Sequence, residues 1–305
     1  MDDNRWRDPA WLAQARAWID GRLEERGIAV TGAIEQPHVY PWSTVLRIPT
    51  TAGDLWFKAN DESLRHEAAL VERISTRRAD LVPPLLAADT TSGWMLMADA
   101  GESLRTVIPR ERSLDRWLDV LARYASLQLD LAQDVDDLLA MGVPDMRLAT
   151  LPKGYERLMQ ETDAPQRFRD AAPMVADLCA ELAAYGLPEL LQHDDLHDGQ
   201  VFVRDGHHRV LDWGDACVSH PFFTLSVTLE GVLAWGLDDV ANSVDTAPFR
   251  DAYLAPFAER FDGDLAAATT TALRLGWAAR AVNGHVPGDN EHTFTRLRMF
   301  LDGEP

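Results

Sequence analysis

Cysteine is nearly absent from this chain of 305 residues. Cys179 and Cys217 stand far apart with no CxxC pairing, which argues against a disulfide framework or a thiolate zinc site and fits a reducing cytoplasm. Positive charge is also short. The 29 Lys and Arg face 49 Asp and Glu, a formal charge of -20, so the averaged field repels nucleic acids and anionic membranes and attracts cations. Surplus acid also serves plain solubility, but a cationic small molecule is an easier partner than DNA or RNA. Long apolar runs are missing too. The N-terminal "MDDNRWRDPAW" carries charge where a signal peptide needs an apolar core, and the later "LSVTLEGVLAWGL" is short and includes Glu230. No membrane segment is expected, nor any nucleic-acid partner. A monomer or homodimer is expected. There are no internal repeats and no glycine-rich G-x-G-x-x-G.

What is present is an ample core, with 46% of residues hydrophobic, enough for two domains or one large one. Asp8 and Pro9 start an amphipathic helix that Gly27 ends. "VLRIP" and "DLWFKAN" flank the turn sequence "TTAGD" as a β-hairpin. Residues 62 to 78 return to helical spacing, and "PLLAADTT" and "GWMLMADA" form two more strands around Ser92-Gly93. This is an α+β region over residues 1–100. From 101 to 305 the spacing is mainly helical, over Leu114–Gln133, Tyr155–Glu161, Phe168–Tyr185, Phe222–Trp235, Phe249–Phe261, Leu265–Val282 and Thr293–Leu301. The exception is Gln192–Asp212, where two short apolar runs flank the turn dipeptide Asp205-Gly206.

That exception carries the chemistry. "HDDLHDGQVF" runs from His193 to Phe202, and "VLDWGDA" follows the hairpin. A hairpin returns Asp212 toward the loop before its first strand, so Asp195, Gln200 and Asp212 are expected to face one cleft. Oxygen ligands of this kind suit a hard cation such as Mg2+. A carboxylate left free of metal can accept a proton from a hydroxyl, the division of labour phosphoryl transfer needs.

These two stretches resemble the HGDLHxxN and IDWGD elements of the aminoglycoside phosphotransferase family, whose two-lobed protein-kinase-like fold has a small β-rich N-lobe and a larger helical C-lobe. The family also places a lysine on a strand and a glutamate on the next helix. In "LWFKANDESLRHEAAL", Lys58 and Glu67 stand at those places. The resemblance implies that Asp195 is the catalytic base, that Gln200 and Asp212 are metal ligands, that Lys58 contacts nucleotide phosphates and that Glu67 orients Lys58. It further implies that Ser43 and Thr44 meet the phosphates, and that backbone groups of Met97 to Asp99 bind the purine. The co-substrates would be ATP or GTP with Mg2+, and the acceptor a hydroxyl of a small cationic molecule such as an aminoglycoside or amino sugar. Antibiotic resistance and metabolite phosphorylation use the same chemistry.

Three departures stand out: Gln200 replaces asparagine, Asp194 replaces glycine, and "HPFFTL" replaces the usual sequence after WGDA. Asp194 requires a backbone conformation open to aspartate, which tolerates left-handed geometry better than most residues. His193 and His197 are expected to fix the loop, and Asp198 to cap a turn. Asp215 is expected to face metal or substrate, or to cap a turn. Acid-rich helices after Gly236, with Asp238, Asp239 and Glu291, are expected to line the acceptor pocket. Two readings from other classes remain: a metal-dependent hydrolase built on His193, His197, Asp195 and Asp212, and a catalytically dead, kinase-like nucleotide-binding protein.

Overall fold

A computed structural model describes residues Asp3–Gly303. The chain forms two compact units. The first comprises Met1–Glu102 with Val201–Gly214, and the second Ser103–Gln200 with Asp215–Pro305. A hairpin from the later sequence thus belongs with the N-terminal residues.

In the first unit, α1 (Pro9–Glu24) begins where Asp8 accepts hydrogen bonds from the Ala10 and Trp11 amides, satisfying donors that a helix start leaves open. Five antiparallel strands follow: β1 (Glu35–Val39), β2 (Ser43–Thr50), β3 (Gly53–Asn60), β4 (Leu85–Asp89) and β5 (Trp94–Ala98), in the order β1-β2-β3-β5-β4. Helix α2 (His66–Arg77) is inserted between β3 and β4. Strand alternation divides β3 between two faces. Leu55, Phe57 and Ala59 join Ile19, Leu23, Leu46, Ile48 and Leu96 in a buried cluster that includes α1, each large side chain there contributing roughly 1.5–3 kcal/mol by burial. Lys58 lies on the other face. The later hairpin pairs Val201–Arg204 with His207–Val210 around Asp205 and Gly206, both at positive φ. Gly101, at φ 100°, passes so near that an added Cβ would lie 2.1 Å from the Val203 carbonyl oxygen.

The second unit is mostly helical: α3 (Leu104–Glu111), α4 (Arg116–Asp130), α5 (Val135–Ala140), α6 (Leu151–Glu161), α7 (Gln166–Arg169), α8 (Ala172–Ala184), α9 (Ala247–Ala258), α10 (Leu265–Asn283) and α11 (Asn290–Asp302). A short antiparallel pair joins Leu190–Gln192 to Cys217–Ser219. Two expected helices are broken. The span 168–185 restarts at Ala172, beside Pro173, which has no amide to continue the earlier ladder. The span 222–235 becomes a 3-10 turn, a π-helical turn at Ser226–Glu230 and another 3-10 turn. There Ser226 and Thr228 donate hydroxyl bonds to the Leu273 and Leu196 carbonyls, so contacts outside the segment override its helical spacing. Among the described residues no helix is long and apolar enough to cross a membrane.

Candidate active-site residues in each unit

Within the first unit, Lys58 and Glu67 meet as expected. Lys58 Nζ donates to Glu67 Oε1 at 2.8 Å and to Asp212 Oδ1 at 2.6 Å. The lysine side chain is 12% exposed and that of Glu67 2%. Glu67 is held on three further sides: its Oε2 accepts from Asn60 Nδ2 at 2.6 Å, its Oε1 accepts from the Trp213 amide at 2.9 Å, and Gly214 packs close beside it. Burial pulls the Lys58 ammonium down, yet Asp212 and Glu67 outweigh it and hold the group above the ordinary lysine value. Asp212 adopts φ 64° and leaves about half its side chain exposed. Its carboxylate is thus anchored by Lys58 while open to solvent, and it is a hard oxygen donor of the kind Mg2+ accepts.

The other residues expected at the nucleotide also make contacts within the first unit. The Thr44 hydroxyl is fully buried and donates to the His38 carbonyl, while the Ser43 amide and carbonyl close the turn against Tyr40. These groups hold the turn. Met97 is paired with Trp56 and Leu85 inside the sheet. The Asp99 carbonyl accepts from Arg204 and Arg209, and its carboxylate accepts from Arg204 and the Gly101 amide. These bonds tie the Asp99 segment to the later hairpin. Sequence reasoning passed over His38. Cross-strand register aligns His38 with Val45 and Val45 with Lys58, and burial lowers the imidazole pKa, with Asp212 and Lys58 pulling in opposite directions.

Within the second unit, the loop carrying Asp195 is fastened at both ends. The His193 amide donates to the Tyr124 hydroxyl at 2.8 Å, and its Nδ1 accepts from the Asp195 amide. His197 Nδ1 accepts from the Gly199 amide at 2.9 Å. Both histidines therefore brace the loop. Among the described residues no group of three or more His, Cys, Asp or Glu side chains is placed to hold a metal ion. Asp198 binds Arg105 through two guanidinium nitrogens, at 2.8 and 3.0 Å, a firmer role than turn capping. The Gln200 amide donates to the His197 carbonyl, and its side-chain amide oxygen has the chemistry of a magnesium ligand.

Asp194 does adopt a left-handed backbone, with φ 67°. Its carboxylate is buried and accepts from Arg280 Nη1 at 3.2 Å and from Asn283 Nδ2 at 2.8 Å. Burial raises its pKa, against the pull of Arg280. Asp215 also pairs with Arg280, at 2.9 Å. Asp238 and Asp239 lie in turns, not helices. Asp238 is exposed and pairs with Arg112 at 3.4 Å, and Glu291 is exposed and pairs with Arg298 at 2.9 Å. Arg280 and Asn283 were missed because they lie more than 60 residues from their partners. Their one local signal is a spacing of three on α10, which puts both on one face.

A model of the phosphotransferase enzyme family (APH) matches residues 38–272. No curated protein matches in sequence. Among solved structures, the chain is similar to an ethanolamine kinase of Plasmodium vivax, at 11% identity, covering 88% of this chain and 82% of that one with a TM-score of 0.64. It is also similar to a macrolide 2'-phosphotransferase of Brachybacterium faecium, at 16% identity, with coverage of 93% and 97% and a TM-score of 0.54. A third likeness is to an aminoglycoside phosphotransferase solved with streptomycin and ATP, at 13% identity, with coverage of 94% and 98% and a TM-score of 0.58. The fold is the α+β protein-kinase-like fold of these kinases.

Proposed function

The chain belongs to the phosphotransferase enzyme family and is a small-molecule kinase, and from that premise we propose that it moves the γ-phosphoryl group of ATP, or of GTP, to a hydroxyl of a small cationic molecule, an amino sugar or aminoglycoside. The observation that carries the reading is Lys58 held between Glu67 and Asp212. A buried ammonium fixed by two carboxylates is a preorganised positive charge, and aligning it needs no reorganisation when phosphate arrives. Glu67 cannot swing away, because Asn60 and the Trp213 amide hold it as well.

Magnesium arriving with the nucleotide would take the Asp212 carboxylate of the first unit as an oxygen ligand and would supply charge neutralisation at the phosphates. Asp195 orients the acceptor hydroxyl and takes its proton as the new oxygen–phosphorus bond forms. The bond from the γ-phosphorus to the bridging oxygen breaks, and the nucleoside diphosphate leaves with that oxygen. The transfer is direct, with no phosphoenzyme. Catalysis rests on positioning and charge neutralisation. The net charge of -20 favours cationic acceptors.

The test is release of nucleoside diphosphate from Mg-ATP and Mg-GTP across amino sugars, aminoglycosides and amino alcohols. Acceptor-stimulated turnover is expected in the parent and a loss of at least about 10³-fold in Asp195→Ala, with nucleotide binding retained. Parent-like turnover in Asp195→Ala would refute the mechanism. Retained nucleotide binding with no stimulated turnover would favour the dead-kinase reading.

A further inference from the structure

We propose that Arg280 is the positioning residue for the Asp195 carboxylate, and that Asp194 and Asp215 serve to aim it. The inference rests on the reading of Asp195 as the base. One guanidinium meets three carboxylates. Its Nη1 lies 3.2 Å from Asp194 Oδ2 and 2.9 Å from Asp215 Oδ2, while its Nη2 lies 3.0 Å from Asp195 Oδ1. The guanidinium is planar, so anchoring one terminal nitrogen fixes the direction of the other. Nη1 is the anchored end and Nη2 the end that orients the base.

The rest of the cluster supports this geometry. Arg280 is only 5% exposed and stands in the last turn of α10, where the helix dipole favours a cation. Burial opposes its charge, and Asp215, Asp195 and Asp194 more than restore it. Asn283 bridges the two anchors, donating to Asp194 Oδ2 at 2.8 Å and to the Asp215 carbonyl at 2.7 Å. The other Asp195 oxygen, Oδ2, lies 3.7 Å from His197 Nε2. The aspartate at 194 is therefore half of a device whose other half is on α10. A glycine there would leave Arg280 one anchor fewer.

The test compares Arg280→Met, Arg280→Lys and Arg280→Met/Asp194→Gly with the parent. The readout is turnover of Mg-ATP with water, ethanolamine and glucosamine as probe acceptors, with the folded fraction measured alongside. Arg280→Met is expected to lower kcat about 10²-fold, the scale of a small misplacement of a catalytic group, with nucleotide KM within about twofold. Removing a second carboxylate should relieve repulsion of Asp195, so the double variant is expected to regain about tenfold over Arg280→Met. Lysine keeps the charge but loses the fork, so Arg280→Lys should remain at least about tenfold below the parent. Parent-like kcat in Arg280→Lys overturns the positioning role and leaves charge neutralisation. If Arg280→Met does not fold, Arg280→Lys decides the matter. A crystal structure of Arg280→Lys gives a reading without turnover, since an unmoved Asp195 carboxylate overturns the proposal. Asp195→Ala is the control: full activity there defeats the function, whereas a dead Asp195→Ala beside a parent-like Arg280→Met defeats only this inference.

Discussion

Each unit holds a largely enclosed cation among carboxylates, and the two arrangements differ in what they can do. In the first unit Lys58 has two partners, the buried Glu67 and the half-exposed Asp212. The buried carboxylate has further donors of its own, so the ammonium is fixed from behind and open toward Asp212. In the second unit Arg280 has three partners and a planar head that addresses two directions. A point charge on a flexible stem suits holding a phosphate, and a rigid fork suits aiming a side chain. In the proposed reading the Lys58 cluster acts as a charge, and the Arg280 cluster as a brace.

The comparison breaks most sharply at Lys58. Lys58→Met leaves Glu67 buried with only neutral donors, and removing one partner of a buried pair costs about 3–5 kcal/mol. The expected result is a large drop in denaturant midpoint together with a nucleotide KM raised at least about tenfold. A stable variant with unchanged nucleotide use would show that Lys58 is a surface charge. Gly101→Ala probes the same unit without touching a charge. Its Cβ would collide with the Val203 carbonyl at a φ that alanine avoids, so a loss of at least about 2 kcal/mol is expected in the same unfolding assay.

The two clusters also differ in how legible they are in sequence. Lys58 and Glu67 lie nine residues apart across a strand end and a helix start, and strand and helix periodicity place both. Lys58 is moreover one of only two lysines in the chain, the other being Lys153, so lysine at that strand position stands out among arginines. Asp212 follows a hairpin whose turn dipeptide is plain. Arg280 has no such signal: it sits 65 residues from Asp215 and 86 from Asp194, inside an alanine-rich helix where arginine reads as a solvated charge. What betrays it is a conflict, an aspartate at 194 where the resemblance calls for glycine. A buried carboxylate requires a partner, but sequence cannot say which arginine supplies it. The broken helix at 222–235 was hidden for the same reason, since its hydroxyl partners Leu196 and Leu273 are distant in the chain.

Acid separates the units by a third effect. His220, in the second unit, is fully buried, and burial lowers its pKa from 6.5 to about 3. Between those values the unfolded chain binds a proton that the folded chain refuses, so stability falls as pH falls, by up to about 1.4 kcal/mol per pH unit. Asp194, raised by burial, works in the opposite direction and partly offsets this loss. Lys58, raised above 10.5, keeps its contribution throughout that range and loses it only as pH climbs through its folded value. His38 in the first unit is lowered by burial too, by a smaller shift, so hydrogen exchange at pH 4 should show the second unit opening before the first. His220→Asn, which can still accept from the Phe222 amide as His220 Nδ1 does, should flatten the acid limb. An acid limb unchanged in that variant would shift the cause to another group.

The smallest effects belong to the acids outside both clusters. Asp238 and Glu291 each pair with an arginine at the surface, with side chains 71% and 78% exposed. Such pairs gain little because water screens them and two long side chains must be ordered to form them. Asp238→Ala and Glu291→Ala are each expected to change stability by less than about 0.5 kcal/mol and to leave kcat/KM for a cationic acceptor within about twofold. The contrast with Lys58 and Arg280 would then lie in burial, not charge. A tenfold rise in acceptor KM for Asp238→Ala would reverse that conclusion for its segment and make the turns after Gly236 part of the acceptor site, despite their exposure.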